Sequence, residues 1–153
     1  MPVSARVIIK DNGCGMTPEQ VRRVADPFFT TRTTRKIGLG VPFFKMAAEN
    51  TGGSFSIESE VGKGTVVTAV FGLSHIDRMP LGDMTFTIHS LVTLNCGIDF
   101  VYRYSVDGRG FTLDTREFRE ILGGVPFNAP EVSAYIKEYL EENKAEVDNG
   151  TVY

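Results

Sequence analysis

The stretch IIKDNGCGMTPEQV, residues 8–21, constrains the fold of this chain more than any other. Val7, Ile8 and Ile9 are apolar and β-branched, as expected of a buried strand end. Gly13 and Gly15 flank Cys14 and permit positive φ or a close approach of backbone to a neighbour. Thr17 suits a helix N-cap, Pro18 the first helical position, and Gln20 the far side of a capping box. The spacing predicts a short helix from Pro18 to Ala25, with Val21 and Val24 on one face. Strand, carboxylate at Asp11, glycine turn and helix start together describe a corner that faces a ligand.

The totals narrow the class of chain. With 153 residues there is room for one ordinary domain, or a small one with an appendage. Hydrophobic content of 42% and charged content of 23% are those of a soluble globular protein. No apolar run reaches membrane-spanning length and no leader pattern opens the sequence, so a cytoplasmic protein without a membrane partner is expected. Cys14 and Cys96 have no companion at metal-ligand spacing and read as free thiols. Residues 1–78 hold 10 Lys and Arg against 7 Asp and Glu, a balance of +3, whereas residues 79–153 hold 6 against 12, or −6. The basic half is therefore the one suited to an anion. Long basic runs and basic–aromatic interleaving are absent, which argues against a nucleic-acid partner.

The same division appears in the organisation. Residues 1–78 read as strand, helix, loop, helix, strand, strand. VPFFKMAAEN is a mostly apolar helix ended by Gly52 and Gly53, while SFSIESE and TVVTAVF are partner strands turned by VGKG. The expected fold class is α+β: a two-layer sandwich with a mixed sheet, helices covering one face. Residues 79–153 read as a small α+β appendage of unassigned role. It should hold a helix near residues 81–95, carrying Leu81, Met84, Ile88, Leu91 and Val92, and a hairpin with Asp107-Gly108 at its tip. Thr115 suits the N-cap of a short helix closed by Gly123-Gly124, and Asn128 and Pro130 open a last helix.

Two common phosphate-binding patterns fail. VGKGT places a glycine where a Walker loop needs its closing hydroxyl residue, and no third glycine follows Gly38 and Gly40 at dinucleotide-fingerprint spacing. A third pattern matches in four places and in order. DNGCGM, DPFFTT, GLGVPFFK and SEVGKGTVVTAVF resemble the first glycine box, phenylalanine box, second glycine box and glycine–threonine box of the GHKL (Bergerat-type) ATPases. Within that superfamily the wording is most similar to sensor histidine kinases, and the continuation into an acidic tail resembles small stand-alone bacterial ATP-binding proteins.

The resemblance implies a site for ATP or ADP. Asp11 would accept a hydrogen bond from the adenine amino group. Gly13 and Gly15 would let backbone pass under the ring, with Met16 in the same site, and Thr65 would support the contact from the neighbouring strand through water. An acceptor-only carboxylate on a rigid strand end suits an exocyclic amine and disfavours a carbonyl. Phosphates would lie near Gly38, Leu39 and Gly40, where a helix begins with unpaired N–H donors. Thr30 to Ile37 resembles a flap over the nucleotide, with Arg32, Arg35 and Lys36 available to neutralise phosphate, and Phe28 and Phe29 as its apolar anchors.

Relatives of this kind also carry a helix upstream of the first strand, whose Asn ligates Mg²⁺ and whose Glu serves as general base in the hydrolysing branches. Only ten residues precede Asp11 in this sequence, and MPVSARVIIK contains neither Asn nor Glu. The expectation is an adenine-nucleotide-binding, histidine-kinase-like domain with no catalytic or metal-ligating residue in the sequence at hand. Mg²⁺, hydrolysis or phosphotransfer to a protein would require the complete form. The alternative is a non-enzymatic regulatory or interaction module whose nucleotide site is vestigial. A sheet without that helix would also expose an apolar face, to be covered by a second copy of the chain or by a partner protein.

Overall fold

The computed structural model describes residues 3–26, 40–76 and 78–153. The chain divides into two compact units, Met1–Met79 and Pro80–Tyr153. Among the described residues ten elements give an α+β architecture, as the sequence led us to expect.

The first unit contains β1 (Ser4–Asp11), α1 (Pro18–Val24), α2 (Gly40–Asn50), β2 (Ser54–Glu60) and β3 (Gly64–Gly72). Its strands are ordered β1-β3-β2, and both pairings are antiparallel. The expected mixed sheet is thus corrected among the described residues. The β2–β3 pair is the hairpin read from the sequence, with only Val61, Gly62 and Lys63 between its strands; the departure lies in β1, which runs antiparallel to β3. Register places Val7, Ile9 and Asp11 on one face with Val67, Ala69, Phe71 and Thr65 of β3 and Phe55, Ile57 and Ser59 of β2. Helix α2 covers part of that face. The Phe44 ring stands edge-on to Phe55 at 6.1 Å and lies 5.7 Å from Phe71, while Ala48 and Ala69 are fully buried. Each such aromatic contact adds about 0.5–1.5 kcal/mol to what area burial supplies. Thr51 fastens the end of the helix to the sheet: its hydroxyl donates to Ala48 O at 2.7 Å and accepts from Gly72 N–H at 3.0 Å. Gly52 and Gly53 follow, and the helix stops where expected.

The second unit contains α3 (Met84–Leu94), β4 (Val101–Val106), β5 (Arg109–Asp114), α4 (Thr115–Leu122) and α5 (Pro130–Asp148). Its core is Val92, Leu113, Phe118, Phe127, Val132, Ile136 and Leu140. The hairpin turns on Asp107 (φ 50°) and Gly108 (φ 80°), the doubly positive geometry that Asp-Gly favours between strands. Three helix starts differ from the sequence-based reading. Helix α3 begins after Asp83, whose carboxylate accepts from Phe86 N–H at 2.9 Å, so Leu81 lies outside it. Asp114, not Thr115, caps α4. Thr115 is fully buried and its hydroxyl accepts from Phe100 N–H at 2.8 Å, leaving the capping role to its neighbour. Helix α5 is entered from Ala129 without a side-chain cap rather than from Asn128. Pro130 has no N–H at the first helical position and removes one of the donors a cap would serve. Among the described residues no helix is long and apolar enough to cross a membrane.

Candidate functional site

The corner predicted from residues 8–21 is built by three strands and one loop. Asp11 is the last residue of β1, directly opposite Thr65 of β3, which is directly opposite Ser59 of β2. The three side chains form one row across the sheet, on the face that α2 partly covers. Asp11 is exposed, and its Oδ1 accepts from Gly13 N–H at 2.8 Å. This bond from a side chain to the backbone two residues on bends the chain out of the strand, as Asx turns do. Oδ2 has no partner among the described residues and remains available as an acceptor.

The loop after Asp11 is stitched to the β2–β3 turn. Gly62 N–H donates to Cys14 O at 2.7 Å, and Met16 N–H donates to Ser59 Oγ at 2.8 Å. Two glycines make this approach possible. At Gly15, φ is 72° and a side chain would collide with the Glu60 carbonyl; at Gly64, φ is 125° and a side chain would collide with the Asp11 carbonyl. Helix α1 then starts with the full capping box: Gln20 N–H donates to Thr17 Oγ1 at 3.2 Å and Thr17 N–H to Gln20 Oε1 at 2.9 Å.

Ser59 is the residue that reading the sequence alone missed. Its hydroxyl lies 2.8 Å from Thr65 Oγ1 and 3.0 Å from Gly64 O, besides accepting from Met16. A signal was present in SEVGKGT, because a hairpin folded about Gly62 pairs Ser59 with Thr65.

Of the predicted nucleotide-site residues, the structure brings together Asp11, Gly13, Gly15, Met16 and Thr65. Gly40 is the exposed first residue of α2, with open space around it. Arg32, Arg35, Lys36, Gly38, Leu39, Phe28 and Phe29 lie outside the described residues. The corner thus presents an exposed carboxylate cross-strand from a hydroxyl, with a loop wall of glycine backbone. Among the described residues no three His, Cys, Asp or Glu side chains are grouped to hold a metal ion. His89 is occupied structurally, its Nε2 donating to the Ser133 carbonyl at 3.0 Å.

The second unit has a polar centre of another kind. Asp148 accepts from Lys144 Nζ at 2.6 Å and from Tyr104 Oη at 2.9 Å through Oδ2, and from Gly150 N–H at 2.9 Å through Oδ1. Burial pushes this carboxyl up, yet the bonds from Lys144, Tyr104 and Gly150 outweigh it and hold the group below its ordinary value. Burial, and then the Asp148 charge, push the Tyr102 phenol up to about 12. A cavity of about 400 Å³ adjoins this cluster, lined in part by Leu81, Met84, Val152 and Tyr153.

Comparison with known proteins gives the class of the first unit. Residues 3–75 match the family described as histidine kinase-, DNA gyrase B-, and HSP90-like ATPase. A protein of Shewanella frigidimarina described as a sensor is 40% identical over 70 residues, covering 45% of this chain and 11% of that protein. The sensor protein SrrB of Staphylococcus aureus is 44% identical over 62 residues, covering 37% of this chain and 11% of SrrB. The matched part thus spans about a tenth of the length of these curated relatives. The first unit carries a histidine-kinase-like ATP-binding domain.

Proposed function

We propose that the corner formed by β1, α1 and the β2–β3 turn receives the base of an adenine nucleotide, ATP or ADP. The observation that carries this reading is the row Asp11–Thr65–Ser59, which ends in an exposed carboxylate. An ionised carboxylate only accepts, so it selects a ligand edge that donates, such as the 6-amino group of adenine. Gly13, Gly15 and Met16 provide the backbone wall. The phosphates extend toward Gly38, Leu39 and Gly40 at the start of α2, where N–H groups favour anions, with Arg32, Arg35 and Lys36 as countercharges. Mg²⁺ binding, hydrolysis and phosphotransfer to a protein would need a metal ligand and a general base besides the residues named here.

Calorimetric titration of ADP into the chain and into Asp11→Asn tests the reading. Loss of a hydrogen bond to a charged group corresponds to an affinity roughly 10- to 100-fold weaker in the variant. Equal binding by both chains, or none by the wild type, removes the reading.

One observation favours a second role, as an interaction module. Ile9 shares the face of Asp11 yet is 55% exposed, and Ile8 on the opposite face is 58% exposed. Large apolar side chains this open on a strand are suited to a covering partner, for which a second copy of the chain is our choice.

A further inference from the structure

We infer that Ser59 is a positioning residue that sets the hydrogen-bond polarity of Thr65 and, through it, discrimination between 6-amino and 6-oxo purines. The inference rests on the proposed nucleotide reading and adds a residue that the reading does not use.

The argument is a count of protons. Ser59 Oγ has three neighbours: Met16 N–H at 2.8 Å, Gly64 O at 3.0 Å and Thr65 Oγ1 at 2.8 Å. The Met16 amide can only donate and the Gly64 carbonyl can only accept. The single Ser59 proton therefore goes to Gly64 O or to Thr65 Oγ1. Sent to Thr65, it would leave the lone pairs of Ser59 and Gly64 facing each other with no hydrogen between them. Sent to Gly64, it satisfies every contact. Ser59 then accepts from Met16 N–H and from the Thr65 hydroxyl, its two lone pairs filled and its one proton used. All three groups are at least partly shielded from water, where such completeness counts most.

The consequence falls on the other side of Thr65. With its proton committed to Ser59, Thr65 presents only lone pairs toward its cross-strand neighbour Asp11, itself acceptor-only. Two acceptors side by side require a ligand edge, or a bridging water, that donates to both. An amino group at position 6 of a purine meets this demand and a carbonyl oxygen opposes it. Without the Ser59 hydroxyl, the Thr65 proton is released and can turn to donate, so a 6-oxo purine becomes acceptable.

The test compares ADP with IDP, which differ at position 6, by calorimetric titration of the full chain, with circular dichroism as the check on folding. The wild type should prefer ADP. Ser59→Ala should lower the ADP-to-IDP affinity ratio about tenfold, the scale of one hydrogen bond reversed. Ser59→Thr, which keeps the hydroxyl, should hold the wild-type ratio. Should Ser59→Ala fail to fold, Ser59→Cys serves in its place, because a thiol fills the space but accepts weakly; it should lower the ratio in the same direction. A wild-type ratio in a folded Ser59→Ala or Ser59→Cys chain overturns the role of Ser59 and leaves the nucleotide site standing. A wild type that binds neither nucleotide overturns the site, and this role with it.

Discussion

A carboxylate with no exposed side-chain surface persists at Asp148 because three donors converge on it. Its pKa in the folded chain lies below the ordinary carboxylate value, so the unfolded chain binds the proton more readily. The stabilisation is therefore present above pH about 4, the unfolded value, and is lost as pH falls through the lowered folded value. Lys144 is one-third exposed, which screens its share. Asp148→Asn should cost about 1–3 kcal/mol at neutral pH, read by chemical denaturation, with the gap to wild type closing as pH drops below about 4. A gap that stays constant down to pH about 2 would contradict the assignment of the charge. Asp114 is the half-buried counterpart: hydrogen bonds from Arg116, an exposed partner, hold its carboxyl below the ordinary value.

At the scale of elements, what the sequence made legible was local chemistry. The Thr17–Gln20 capping box and the Asp107-Gly108 turn each lie within a few residues, and each formed as read. What stayed hidden was settled by contacts distant in the chain. Thr115 has a capping hydroxyl by composition, but Phe100 N–H claims it, and Asp114 becomes the cap. Ser59 looks like an ordinary polar strand position until register sets it beside Thr65 and Met16, the latter 43 residues away. The antiparallel pairing of β1 was masked in a similar way, because its partner β3 lies more than fifty residues on. For the site, the Asp11–Gly13 turn and the glycine approaches were readable because few residues other than glycine tolerate such backbone. The flap and its cations, residues 30–37, fall outside the described residues, so that part of the reading rests on sequence alone.

Taken as a whole molecule, the chain joins a basic unit to an acidic one, and the two differ in their cores. Ala48 and Ala69 are fully buried in the first unit, whereas Val92, Leu113, Ile136 and Leu140 are fully buried in the second. Open isoleucines on β1 add to this contrast, and they lead to the expectation of self-association: sedimentation at micromolar concentration should show a dimer, and Ile9→Glu a monomer. A wild-type chain that sediments as a monomer throughout would argue against a covering copy. The central claim concerns the corner itself, and amide chemical-shift mapping of the labelled full chain with ADP addresses it most directly. The account predicts that Gly13, Gly15 and Thr65 move in a saturable way while the core of residues 80–153 stays still. Shifts confined to residues 80–153, or none at all, would contradict it.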